Sequence, residues 1–216
     1  MTFRTPAGAF AALAPITLTI DQGRFVSLIG PSGCGKSTIF NVIAGLLEPT
    51  GGRVLIDGVD ATVTIGRVGY MLQKDLLLPW RTVLDNVILG MEIQNVPLRA
   101  ALLRTLLFDT DVILLDEPVG ALDAQTKLQM QEWLMALWSD FQKTVVFVTH
   151  DVEEAIFLSD EIHVMGTRPG RILERIPIPL ARPRERSVTV TPEFVAIKER
   201  CLKLLTAAAP KLEEAA

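Results

Sequence analysis

Short apolar runs rich in β-branched residues alternate along the chain with segments whose apolar positions recur every three or four residues, the pattern of an α/β fold. The runs ITLTI (16–20) and RFVSLI (24–29) flank Asp21-Gln22-Gly23, a hairpin signal. Further strands are expected at 53–56, 68–72, 112–115, 144–148, 161–165 and 171–176. Between them, 123–141 places Met130, Leu134, Leu137 and Phe141 on one face, which predicts a helix packed on a sheet. Asp151 followed three residues later by Glu154 has the spacing of a capping box. Thr191-Pro192 starts a last helix, expected at about 192–208. No internal repeat or low-complexity linker interrupts the 216 residues, so residues 1–216 are expected to form a single domain.

Composition narrows the classes. A hydrophobic fraction of 49% with 21% charged residues suffices for a core and excludes intrinsic disorder. The net charge of −4 speaks against nucleic acid as an obligate partner. Cys34 and Cys201 offer no disulfide framework, so a reducing compartment is expected. The uncharged run from Thr5 to Ile20 is broken by Pro6, Gly8 and Pro15 and is too short to span a bilayer. Any membrane role is therefore expected to come through a partner.

The strongest chemical signal is GPSGCGKST: Gly30, Pro31, Ser32, Gly33, Cys34, Gly35, Lys36, Ser37 and Thr38. It lies directly after an apolar strand and before a helix-forming run, the context that a phosphate-binding loop requires. Glycines let successive backbone N–H groups turn inward around phosphate oxygens, and the following helix points its positive end at them. Lys36 supplies a charge for the β- and γ-phosphates, and the Ser37 hydroxyl can ligate Mg²⁺. Cys34 fills a variable position of the pattern and is expected to pack. A second signal, DVILLDEP, ends an apolar strand in Asp116 and Glu117. Taken alone, these acids read equally well as helix caps. Beside a phosphate-binding loop they suit holding Mg²⁺ (Asp116) and accepting a proton from an attacking water (Glu117).

Five ordered motifs resemble the ATP-binding subunits of ABC transporters: GPSGCGKST (Walker A), YMLQKDLLLPW with its Q-loop Gln73, VILLDEP (Walker B), GALDAQT (D-loop) and FVTHD with His150. Within that family, LLLPWRTVLDNV, GALDAQT and VTHDVEEAIFLSDEIHVMGTRPGRI are similar to importers of nitrate, sulfonates, taurine or related small solutes. The resemblance implies a P-loop NTPase (RecA-like) core with an N-terminal antiparallel β part. It implies ATP and Mg²⁺ as cofactors, with Ser37, Gln73 and Asp116 around the metal. Glu117, His150 and Gln73 would be catalytic, His150 contacting the γ-phosphate. Phe3 would stack on adenine, with Phe10 as the alternative, and Asp123 would lie at a homodimer interface. Leu76, Leu77, Leu78, Pro79 and Trp80 would dock on transmembrane permease subunits at the cytoplasmic face of the membrane, and an external solute-binding protein would act indirectly.

Each of these residues also has a bland role: Gln73 a strand-end hydrogen bonder, Asp123 a helix N-cap, His150 a helix-start residue, Phe3 and Phe10 core residues, and 76–80 a run buried in the core. His163 is expected to be structural, Trp133 and Trp138 to pack, and the arginines at 168, 171, 175, 182, 184 and 186 to form a solvated basic edge.

Between Gln73 and Asp116 the resemblance calls for a helical subdomain ending in a Leu-Ser-Gly-Gly signature, and the chain contains no such string. RAALLRTLLFDTDVILLDEP follows MEIQNVPL directly, so the helical subdomain is expected to be largely absent, leaving at most a helix hairpin turned at 95–97. On the same resemblance, the start lacks a strand before the stacking aromatic. Two rival readings follow: a nucleotide-binding remnant defective in hydrolysis, and a soluble P-loop switch or repair-type ATPase. A GTPase is disfavoured because no Asn-Lys-x-Asp string occurs.

Overall fold

The computed structural model of the chain describes residues 1–6, 8–72, 80–82, 85, 110–120 and 122–208. Its centre is a six-stranded sheet of Phe25–Ile29 (β3), Gly69–Met71 (β6), Val112–Asp116 (β7), Thr144–Val148 (β8), Glu161–Gly166 (β9) and Arg171–Pro177 (β10). The spatial order is β10-β9-β3-β8-β7-β6. Every neighbouring pair is parallel except β9 with β10. All five residues of β3 and of β8 are buried. Such continuously apolar strands are what a parallel sheet covered on both faces demands.

Strand alternation sorts the core into two layers. On one face Phe25, Val145, Phe147, Ile162 and Val164 pack with the helices Ala124–Phe141 (α2), Val152–Leu158 (α3) and Pro192–Ala208 (α4). On the other, Leu28, Leu114, Val146, Val148 and Met165 meet Ile39 and Phe40 of Lys36–Ile43 (α1). Two small antiparallel pairs stand apart from the sheet: Thr2–Thr5 (β1) with Gly8–Ala11 (β2), and Leu55–Ile56 (β4) with Val59–Asp60 (β5). The chain contacts the sheet edge again where Leu13 bridges Gly170.

Three expectations are corrected. Residues 16–20 are not a strand, and the expected hairpin with β3 does not form, because both sides of β3 are taken by β8 and β9. They line a cavity of about 990 Å³ together with residues 49–57. The apolar face of α2 is only partly covered: Met130 and Phe141 are exposed, Trp133 is 52% accessible, and they border an apolar groove of about 340 Å³ with Ile113, Leu115 and Val145. Trp138 does pack, edge-on to Phe25.

The basic edge is in part a set of structural clamps. Buried Arg184 donates from Nη1 to the carbonyls of Ile156, Phe157 and Ser159 and from Nη2 to Leu180, closing the open C-terminal end of α3. Its burial pulls its pKa down to about 10. Arg182 pairs with Asp160 at 2.8 Å and lies 4.2 Å over the Trp138 ring. His163, expected to be structural, is buried with Nε2 2.5 Å from Glu161 Oε1. Among the described residues, no helix is long and apolar enough to cross a membrane.

Candidate functional site

Parallel strands present their carboxyl ends on one edge of a sheet, and ligands of open α/β sheets bind outside that edge. Three adjacent strands, β3, β8 and β7, bring there the loop 30–35, the turn Thr149-His150 and the pair Asp116-Glu117. The register pairs Leu28 with Val148 and Val148 with Asp116, so the three turns leave the sheet at one level.

The loop after β3 closes over itself in the way its glycines permit. Gly33 and Gly35 have φ of 74° and 96°, in the left-handed region that a Cβ disfavours. A Cβ on Gly35 would also stand 2.3 Å from the Leu13 side chain. Lys36 folds back to donate to the carbonyls of Gly30 at 2.8 Å and Pro31 at 3.2 Å. Its ammonium is thus held over the loop, above the start of α1. Cys34 is fully buried, the packing residue the pattern suggests. Ser32, Gly33 and Ser37 are exposed, and Pro31, Gly35 and Thr38 are partly so.

Ser37 donates its hydroxyl to Asp116 Oδ2 at 3.0 Å. Asp116 is only 4% accessible, and burial raises its pKa, opposed by the Ser37 hydrogen bond. Two hard oxygen donors at that separation are the chemistry a Mg²⁺ ion selects, and the ion ordinarily completes its shell with water and phosphate rather than an all-protein cage. Among the described residues, no cluster of three or more His, Cys, Asp or Glu suited to a metal occurs. The paired oxygens of Ser37 and Asp116 fit a Mg²⁺ ion that takes its remaining ligands from elsewhere.

At Glu117 the chain leaves β7 with φ 51°, a left-handed conformation that costs a residue with a Cβ about 1–2 kcal/mol. The amide of Glu117 donates to the Val148 carbonyl at 2.9 Å, which anchors the turn to the end of β8. His150 Nδ1 lies 3.5 Å from Glu117 Oε2. A carboxylate and an imidazole facing each other beside this glycine-rich loop can share the handling of one proton.

Asp123 caps α2, its side chain accepting from the amides of Gln125 and Thr126 at 3.1 Å each. The Thr126 hydroxyl adds a bond of 2.6 Å, and these donors hold the exposed carboxyl below the usual range. Its bland role is thus present, and the position remains open to solvent. Phe3 and Phe10 are direct cross-strand partners, with Phe10 the more exposed. Trp80 is 76% accessible. Gln73, Leu76, Leu77, Leu78 and Pro79 lie outside the described residues.

Sequence reasoning missed the support behind His150. Glu154, read as half of a capping box, does not reach back to the amide of Asp151, which donates to Thr149 Oγ1 instead. Its carboxylate points inward to Gln131 and Thr149. The i, i+4 spacing of Lys127 and Gln131 was the available signal that both lie on the α2 face turned toward α3. Tyr70 was also missed: burial, with the charge of Asp116, pushes its hydroxyl up to about 12.

Residues 13–98 match the ABC transporter family model. A putative ATP-binding protein of Brucella melitensis is 40% identical, the match covering 89% of this chain and 86% of that one. The taurine import ATP-binding protein of Pseudomonas putida is 34% identical over 98% of this chain and 95% of its own. That alignment runs to 249 positions against 216 residues here, so at least 33 positions have no residue in this chain. Among solved structures, a dimeric ATP-binding cassette in a post-hydrolysis state with ADP and phosphate superposes with a TM-score of 0.69 at 28% identity, covering 83% of this chain and 96% of that one.

Proposed function

The chain belongs to the ATP-binding subunits of ABC transporters and is an ATPase of that type, and on this premise we propose that it energises import of nitrate, a sulfonate, taurine or a similar small solute. The observation that carries the site is the 3.0 Å contact of Ser37 with Asp116, made beneath a loop whose lysine is already turned over it. In this reading Gly30 to Thr38 bind the phosphates of ATP, and Lys36 exchanges its two carbonyl partners for phosphate oxygens. Ser37, Asp116 and Gln73 hold Mg²⁺, which neutralises charge on the phosphates when bound. Glu117 takes the proton of the attacking water, and His150 orients that water and the terminal phosphate. Phe3 stacks on the adenine.

Two copies of the chain would associate through surfaces that include Asp123, at the cytoplasmic face of a permease contacted by 76–80. The dimeric state of the structural relative and the transport role of the Pseudomonas putida relative support this assembly. The family match that stops at residue 98, and the relative's positions without a counterpart, support a shortened segment ahead of β7. With no Leu-Ser-Gly-Gly string to offer a partner, such a homodimer binds ATP and turns it over slowly.

Titration of the chain with a fluorescent ATP analogue tests the site, with and without Mg²⁺. Binding should be tight, dependent on Mg²⁺ and abolished in Lys36→Ala. Equal binding by that variant would overturn the assignment.

A further inference from the structure

A small polar network is buried where α2 crosses the start of α3. Glu154 is 3% accessible, Gln131 4% and Thr149 2%. Gln131 Nε2 donates to Glu154 Oε1 at 2.9 Å, and the Thr149 hydroxyl donates to Glu154 Oε2. Thr149 Oγ1 in turn accepts from the Asp151 amide at 3.0 Å. One turn earlier on α2, Lys127 Nζ reaches Asp151 Oδ2 at 2.6 Å, with Glu154 Oε2 at 4.0 Å. Asp151 also caps α3, accepting from the amides of Glu153 at 2.9 Å and Glu154 at 3.2 Å.

These bonds converge on both neighbours of a single residue, His150. Its own ring is turned outward, 63% accessible, toward Glu117. Packing does not hold so exposed a ring, so its placement follows the two residues on either side. Those residues are gripped by α2, the helix that begins at Asp123.

Buried polar groups are costly unless every bond is made, and once made they admit few alternative arrangements. A network of this kind serves helix capping less economically than Asp151 alone already does. We propose that Glu154 and Gln131, with Lys127, are positioning residues that hold the Thr149-His150-Asp151 turn to α2 and so set His150 against Glu117. The proposal rests on the reading of His150 and Glu117 as the hydrolytic pair. It adds a mechanical link: a shift of the Asp123 end of α2 would move His150 through Lys127 and Gln131, four and eight residues further along the chain.

Exchange of the two buried partners tests this. Four full-length chains are compared: unmodified, Glu154→Gln, Gln131→Glu, and the double variant carrying both changes. In the double variant the carboxylate and the amide trade places, so the donor and acceptor across the helix contact are retained. The first measurement is single-turnover hydrolysis at saturating Mg²⁺-ATP, with the dissociation constant for ATP alongside. The second is spectroscopic: the chain has two histidines, so the His150 ring proton can be followed by NMR, and its resonance displacement on Glu117→Gln reports the proximity of the two residues at a fixed pH.

Each single variant should lose about tenfold or more in single-turnover rate, since misplacement of a reacting group by about 1 Å can cost about 10²-fold. ATP affinity should stay within about twofold, because the phosphate-binding loop stands on other elements. The His150 displacement should shrink in both single variants, and rate and displacement should both return in the exchanged pair. A folded double variant that recovers neither, or single variants with unchanged rate and displacement, would overturn the proposal. A purely structural role predicts a lower melting temperature with the displacement intact, and that result also counts against it. If the unmodified chain neither binds nor hydrolyses ATP, the functional reading fails, and the displacement comparison still decides whether the network positions His150.

Discussion

Ser37 and Asp116, 79 residues apart in sequence, meet at 3.0 Å because β3 and β7 flank β8 and end on the same edge of the sheet. The contact places a buried carboxyl next to a hydroxyl with the Lys36 charge nearby, and burial nevertheless holds its pKa above the ordinary carboxylate value.

That direction fixes a pH dependence. A raised folded value means the folded chain binds the Asp116 proton more tightly than the unfolded chain does. The stability cost is absent below the ordinary value of about 4, grows as pH rises and is full above the raised value. Asp116→Asn should therefore melt at a higher temperature than the parent at pH 7, with the gain vanishing toward pH 4. Its Mg²⁺-dependent gain in ATP affinity should be lost. Calorimetry across pH and nucleotide titration check the two halves.

Gly33 and Gly35 separate backbone strain from steric conflict. Both have positive φ, but a Cβ on Gly33 would meet open space, whereas one on Gly35 would strike Leu13. Gly33→Ala should cost about 1 kcal/mol in a denaturant melt. Gly35→Ala should cost at least about twice that, and should weaken ATP binding more.

Arg184→Leu removes donors from four carbonyls at the end of α3 and near Leu180. A loss of about 3 kcal/mol is expected, or a melting temperature lower by about 6–12 °C. Arg186→Leu removes a half-buried side chain that pairs with Glu132, donates to the Leu128 carbonyl and lies 4.2 Å over the Phe157 ring, and should cost less than Arg184→Leu because one carbonyl rather than four loses its donor.

Turnover by the purified chain should fall on the order of 10³-fold below that of a transporter subunit with a signature, the usual worth of a charge-stabilising group supplied in trans. A helical segment beginning Leu-Ser-Gly-Gly, inserted between Leu98 and Arg99, should raise the rate. Fast steady-state hydrolysis by the unmodified chain, lost in Glu117→Gln, would refute the slow-turnover proposal and strengthen the importer reading.

Trp80 is the exposed described residue of the 76–80 run. Trp80→Ala should reduce co-purification with the permease about tenfold or more, as expected of an aromatic anchor at an interface. Unchanged recovery would remove this segment from the docking surface.

Local patterns carried far in this chain because their physics is local. The run at 144–148 reads as a strand since nearly continuous β-branched residues suit a sheet buried on both faces, and at 161–165 Ile162 and Val164 alternate as a strand requires. Lys36 and Ser37 were legible because a glycine-rich loop between strand and helix has one established chemical use. Asp151, as a cap, and Pro192, as a first helical residue, announced their helices through signals that depend only on adjacent residues.

Long-range facts were decided by the tertiary structure. ITLTI has the composition of a strand, yet pairing needs a free ladder, and β8 and β9 occupy both sides of β3. Arg182 and Arg184 look like surface charge until the open carbonyls of α3 are folded against them. Sequence by itself determined which residues could do phosphate chemistry, because residue type and near-neighbour spacing define donors, charges and turns. Only the tertiary structure decided that Asp116 loses its water, that Glu117 meets His150, and that Glu154 and Gln131 stand behind that histidine. Each of those depends on strand order and helix crossing, which bring residues tens of positions apart into contact and exclude solvent from between them.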